Sequence, residues 1–184
     1  PAYSSARRAH LTPESLWVRI RRMDLQPPSE TLPEAVEGRV PMTMMPAALA
    51  TSLARIECDE IRVPDPESGK VLVKTDLASI CGSDLHIVYM GWNVHEFPLM
   101  HGYPGHEGVG HVVDAGGTGL AAGDLVLTAP NIWQSQVFAG YQLIEPHFLL
   151  KLPSDVPQTH LLMAQQLGTV VFGCRRLPSL LGQT

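Results

Sequence analysis

The stretch KVLVKTDL at residues 70–77 decides the fold class, because its apolar and polar side chains alternate as in a strand with one buried face. A similar run at 54–63 precedes it, and the prolines and glycine of the PDPESG segment between them are typical of turns. We expect the two runs to pair as neighbouring strands. Shorter runs predict further strands at 108–114, 124–128, 140–145 and 148–152.

Five or six short strands separated by glycine and proline favour a mainly β domain, a barrel or a sandwich, over a parallel sheet. From Pro157 onward the apolar residues change to helical spacing, which predicts one or two helices after the strands. The 184 residues suit one domain with a sizeable core and are few for two complete domains.

Composition excludes several classes of function. The formal charge of −5 argues against a nucleic-acid partner. No apolar run is long enough for a membrane span, and no secretory signal begins the chain, so we expect a cytoplasmic protein. The three cysteines are widely spaced and odd in number, which fits neither a disulfide framework nor a four-cysteine zinc module.

Charged residues are distributed unevenly along the chain. Residues 1–44 hold six arginines and five acidic groups, whereas 45–184 hold seven basic and thirteen acidic groups. Prolines interrupt the first segment repeatedly, so we expect a disordered N-terminal extension there. We expect the β domain to occupy 45–160, and a helical hinge segment to occupy 161–184.

Two short clusters contain the candidate metal-ligating residues. CGSDLH at residues 81–86 follows the second predicted strand, and PGHEG at 104–108 precedes the third. A thiolate, an imidazole and a carboxylate from two loops suit a catalytic zinc site with one open position. Taken singly, Cys81 could be a small buried apolar residue, and His106 with Glu107 a surface pair.

At these clusters the chain resembles the zinc-dependent medium-chain alcohol and polyol dehydrogenases, and the resemblance extends over about residues 45–184. Their catalytic domain is a GroES-like, partly open β-barrel, which agrees with the predicted strands. The segments that carry the resemblance, in chain order, are Met45-Pro-Ala-Ala-Leu, Val63-Pro-Asp-Pro66, Val71-Leu-Val-Lys74, Ile80-Cys-Gly-Ser-Asp-Leu-His86, Gly105-His-Glu107, Gly123-Asp124-Leu-Val126, Phe138-Ala-Gly-Tyr141 and Lys151-Leu-Pro153.

The resemblance implies that Cys81 and His106 bind one catalytic Zn²⁺, with Glu107 as a further ligand or an adjacent carboxylate. It also implies that Ser83 and His86 relay the proton of a small alcohol or sugar substrate while hydride passes to NAD or NADP. Asp84 either orients a metal ligand or caps a turn or helix.

Three departures from the family pattern limit these expectations. The segment 125–137 has no cysteine, so we expect no structural zinc. Gln165 stands where relatives place a Cys or Glu ligand, which makes it a weak ligand at most and points to the glucose dehydrogenase branch. The sequence shows no GxGxxG turn of a Rossmann domain.

We therefore expect the Rossmann domain to be absent from this chain, and NAD or NADP to bind only in a complete enzyme. We expect residues 1–184 to be inactive alone. The alternative is a non-catalytic GroES-like β-barrel that acts as an interaction module. A homo-oligomer is compatible with the resemblance.

Overall fold

The computed structural model describes residues 44–177. The predicted N-terminal extension lies outside the described residues apart from Met44, and so does the end of the predicted hinge segment. Within these residues, seven strands and three α-helices follow one another, with a short 3₁₀-helix at Pro146–Phe148. In chain order they are β1 Met44–Ser52, β2 Arg55–Arg62, β3 Val71–Ser79, α1 Gly82–Met90, β4 Glu107–Asp114, β5 Leu125–Thr128, β6 Tyr141–Ile144, β7 Leu149–Lys151, α2 Gln158–Leu162 and α3 Ala164–Arg176.

The strands form two antiparallel sheets, one of five strands in the order β6-β3-β4-β5-β7 and one made of β1 and β2. Within residues 44–177 the five-stranded sheet has β6 and β7 as its two edges and does not close on itself. The domain is therefore mainly β and partly open, as the sequence predicts.

One predicted pairing is wrong, since the runs at 54–63 and 70–77 do not pair with each other. The first run forms β2 and pairs with β1, whereas the second forms β3 and lies between β4 and β6. The physical reason is burial. Val71 and Val73 of β3 are fully buried and need partners on both sides, whereas β2 is exposed along nearly its whole length.

Two apolar clusters hold the large sheet together. Side chains from β3, β4, β5 and β6 form the first, and the second joins the far side of β4 and β5 to Leu162 of α2. The burial of Leu162 holds α2 against the sheet. The first cluster consists of Val71, Val73, Val112, Val126 and Ile144, and the second of Val109, Leu125, Leu127 and Leu162.

The helices after residue 157 agree with the predicted helical spacing. α3 nevertheless has no buried residue, and its apolar side chains Leu167, Val170 and Phe172 are 63%, 60% and 59% exposed. No helix in the described part of the chain is both long and apolar enough to span a membrane. α1 was not predicted as a helix, and it matters because it begins at the first chemical cluster.

Candidate metal centre

The first cluster forms the start of α1. Cys81 is the residue before the first helical turn, and its backbone N–H donates a hydrogen bond of 2.8 Å to Oδ2 of Asp84. The N–H of Asp84 donates in return to the carbonyl of Cys81 at 3.1 Å. This reciprocal pair satisfies an otherwise free backbone donor and fixes Cys81 where β3 leads into α1.

The second cluster lies at the start of β4. His106 and Glu107 are 7% and 2% exposed, so both polar side chains are buried. Gly105, just before them, faces the ring of Phe138, and a Cβ on Gly105 would lie 2.6 Å from that ring. The close approach explains the glycine, because any side chain there would push β4 and its two polar residues away from the segment that carries Phe138.

The two clusters meet in space. One donor atom from each of Cys81, His106 and Glu107 lies within 4.8 Å of the other two, and Nε2 of His106 is 4.0 Å from Oε1 of Glu107. Ligands bound to tetrahedral zinc at about 2.0–2.3 Å lie roughly 3.3–3.8 Å from one another. A small inward movement of these side chains is therefore enough to hold the ion.

The surroundings of His106 select the nitrogen that can bind a metal. Nδ1 lies 3.1 Å from the carbonyl oxygen of Pro104 and 3.1 Å from Oδ1 of Asp84, and both of these oxygens are acceptors. Nδ1 must therefore carry a proton, which leaves the lone pair of neutral His106 on Nε2, the nitrogen nearer Glu107. Oδ1 of Asp84 is buried and accepts no hydrogen bond, so the ion-pair contact with Nδ1 of His106 is its polar contact. A carboxylate behind a ligating histidine is the usual arrangement in metal sites.

The electrostatics agree with this geometry. Chiefly because of Asp84, the pKa of His106 rises from 6.5 to about 9, and the Pro104 carbonyl and Cys81 add to the rise while burial opposes it. In the metal-free chain the buried acidic groups Asp84 and Glu107 thus face an imidazolium. A divalent cation would replace that proton and compensate the same buried negative charge.

Glu107 is held by two further side chains. Oγ of Ser79 donates to its Oε2 at 2.5 Å, and the amide of Gln166 donates to the same oxygen. Ser79 and Glu107 face each other across β3 and β4. The amide that contacts Glu107 therefore belongs to Gln166 and not to Gln165. Gln165 instead lines an open depression of about 360 Å³ beside Leu127 and Phe172.

The two predicted relay residues occupy different environments. Ser83 is half-buried in the first turn of α1, and its Oγ lies 3.4 Å from Nε2 of His106, at the proposed metal position. His86 lies one turn later on the same helix and is exposed. The structure thus brings Ser83 to the cluster and leaves His86 in contact with solvent.

Sequence reasoning missed Ser79 and Gln166. Ser79 ends β3 two residues before Cys81, so a correct β3–β4 register would have placed it opposite Glu107. Gln166 had no comparable signal, because consecutive residues on a helix point about 100° apart and only the docking angle of α3 decides which glutamine faces Glu107.

Comparison with a family model matches residues 67–154 to the alcohol dehydrogenase GroES-like domain. Among curated proteins, the chain is 38% identical over 87 residues to an alcohol dehydrogenase of Rhizobium meliloti strain 1021. That match covers 46% of this chain and 25% of the relative, so the chain spans well under two thirds of the relative's length.

Solved structures show the same fold. A zinc-binding dehydrogenase of Sinorhizobium meliloti 1021 bound to NADP superposes with a TM-score of 0.62 at 23% identity, over 72% of this chain and 45% of that one. The 2R,3R-butanediol dehydrogenase of Bacillus subtilis gives the same TM-score and identity, over 72% of this chain and 47% of that one.

Proposed function

We propose that this chain, which is similar to the zinc-type medium-chain alcohol dehydrogenases over its GroES-like domain, is the zinc-binding catalytic domain of an NAD- or NADP-dependent dehydrogenase acting on small alcohols, polyols or sugars. The observation that carries the proposal is the cluster of Cys81, His106 and Glu107, in which the thiol, Nε2 and Oε1 face one another. Residues 45–160 are the proposed extent of the domain.

A single Zn²⁺ at this cluster would supply Lewis acidity, which lowers the pKa of an alcohol bound at its open position. Cys81 and His106 would hold the ion, and Glu107 would either complete the shell or balance its charge from beside it. Asp84 keeps the proton on Nδ1 of His106, so that Nε2 remains the ligand atom.

Oxidation of an alcohol removes a hydride from carbon and a proton from oxygen. NAD or NADP would supply the nicotinamide that accepts the hydride in a complete enzyme. Ser83, 3.4 Å from Nε2 of His106, is the group placed to accept the hydroxyl proton. His86 is exposed one helical turn away and would release that proton to solvent.

The proposal is tested by metal content and by alcohol binding. Purified chain reconstituted with Zn²⁺ and then desalted should retain close to one ion per chain. Cys81→Ser should lose most of that metal, whereas Cys58→Ser should retain it, because Cys58 is exposed on β2 away from the cluster. Equal zinc retention by wild type and Cys81→Ser would overturn the proposal.

The open position is tested with Co²⁺ in place of zinc, because its visible spectrum reports the ligand geometry. Titration with a short alcohol or polyol should shift the ligand-field bands of the cobalt-loaded chain. Ser83→Ala should retain the metal and show a smaller response to alcohol. A cobalt spectrum that no alcohol changes would mean that the metal site is closed and therefore structural.

A further inference from the structure

The two carboxylate oxygens of Glu107 have different partners. Oε2 accepts hydrogen bonds from Oγ of Ser79 and from the amide of Gln166, whereas Oε1 points to Nε2 of His106 at 4.0 Å. Glu107 is almost completely buried, so water does not compete for these positions. Which oxygen faces the metal cluster is therefore decided by the two donors on Oε2.

The two donors also contact each other and form a closed triangle with Glu107. The amide Nε2 of Gln166 lies 3.2 Å from Oγ of Ser79. Ser79 comes from the end of β3 and Gln166 from the first turn of α3, so the triangle ties the sheet to a helix whose other side chains are mostly exposed. A rotation of Glu107 would break hydrogen bonds to both elements.

Ser79 and Gln166 are both neutral donors, which matters because Glu107 is proposed to face a cation. A lysine or arginine here would neutralise Glu107 and lower its attraction for metal, whereas an amide and a hydroxyl orient it and leave its charge available. The amide oxygen Oε1 of Gln166 is buried and has no hydrogen-bond partner. The hydrogen bonds from its nitrogen to Glu107 and to Ser79 are thus the polar interactions that this side chain makes.

We propose that Gln166 is a positioning residue of the metal centre, which together with Ser79 fixes Oε2 of Glu107 so that Oε1 faces the ion bound by Cys81 and His106. The proposal rests on the proposed function, because it assumes that the cluster binds metal. It gives Gln166 a positioning role, whereas the family resemblance makes the adjacent Gln165 a weak ligand at most.

The matched pair of adjacent glutamines provides the experiment, which is a Co²⁺ titration of the full chain. Leucine has nearly the volume of glutamine and no donor. Gln166→Leu should weaken cobalt affinity by about 10–100-fold, the usual effect of losing a group that orients a ligand. It should also alter the ligand-field bands while the thiolate-to-cobalt charge-transfer band from Cys81 persists. Gln165→Leu should change affinity by less than about threefold, because Gln165 makes no hydrogen bond to Glu107 and lines the depression beside Leu127 and Phe172 instead.

Folding is controlled with Gln166→Met, which also lacks the donor but packs more adaptably. The two Gln166 variants should lose the same affinity even if their melting temperatures differ, because the effect comes from the lost hydrogen bond. Hydrogen exchange adds a readout independent of activity. Cobalt should slow exchange in the first turns of α3 in wild type but not in Gln166→Leu.

The inference is overturned if Gln166→Leu binds cobalt as tightly as wild type, or if Gln165→Leu shows the larger loss. If wild type retains no cobalt, or if Cys81→Ser retains as much as wild type, the proposed function fails with it. A wild-type site that depends on Cys81 and does not respond to Gln166→Leu contradicts only the role of Gln166.

Discussion

Oδ1 of Asp84 lies 3.1 Å from Nδ1 of His106, while Oδ2 of the same carboxylate accepts the backbone N–H of Cys81 at 2.8 Å. One side chain therefore supports both of the residues that we propose as the principal zinc ligands. It fixes the position of Cys81 at the start of α1, and it keeps the proton of His106 on Nδ1. The contact with Cys81 is that of a helix-capping residue, and the role of Asp84 as orienter of a metal ligand stays a prediction.

This relationship makes the stability of the metal-free chain depend on pH. The pKa of His106 is raised from 6.5 to about 9, so its charge stabilises the fold fully below about pH 6.5. That stabilisation is lost as the pH rises through 9. The melting temperature of the chain in a chelator should fall across this interval, and less steeply in Asp84→Asn. Parallel curves for the two proteins would contradict the assignment.

Asp84→Asn should also weaken zinc binding by about 10–100-fold, because a carboxylate behind a ligating imidazole raises its basicity and holds its orientation. Competition with a chromophoric chelator measures the affinity. Asp76→Asn is the matched control, since Asp76 pairs with His111 at 2.5 Å outside the cluster. Equal losses of zinc affinity in Asp84→Asn and Asp76→Asn would show a general effect of removing a negative charge and not a specific role of Asp84.

Gly105→Ala should destabilise the fold by about 1–3 kcal/mol, the usual cost of overpacking, because the new Cβ would lie 2.6 Å from the Phe138 ring. His106 and the start of β4 at Glu107 would have to move, so zinc retention should fall as well. Gly119→Ala is the control, since its Cβ meets no atom within 4 Å. Urea denaturation measures both, and a Gly105→Ala variant as stable as Gly119→Ala would disprove the close contact.

The exposed side of α3 should matter for association and not for folding. Val170→Ser should change the free energy of unfolding by less than about 0.5 kcal/mol, because Val170 is 60% exposed. Sedimentation should show less self-association, since exposed apolar patches promote it. Leu162→Ala, at a buried position in α2, should instead cost about 2–5 kcal/mol. A large loss in Val170→Ser would mean that α3 packs more tightly than the structure shows.

The strands of the large sheet were predictable because local alternation and glycine turns determine where strands lie. Which strands pair with each other was not predictable, because pairing depends on whether a strand is buried on both sides, as β3 is and β2 is not. The two clusters of candidate ligands, at 81–86 and 104–108, were visible in the sequence, but the short distance between them in space was not. The roles of Ser79 and Gln166 depend on strand register and on how α3 docks, which local patterns do not encode.

X-ray absorption at the zinc edge of the reconstituted chain tests the central claim most directly, because it identifies the atoms bound to the metal. We expect one sulfur at about 2.3 Å and two or three nitrogen or oxygen atoms at about 2.0–2.2 Å. In Cys81→Ser the sulfur contribution should disappear, and in Cys58→Ser it should remain. A zinc with no sulfur ligand in the wild-type chain, or with sulfur that survives Cys81→Ser, would contradict the account.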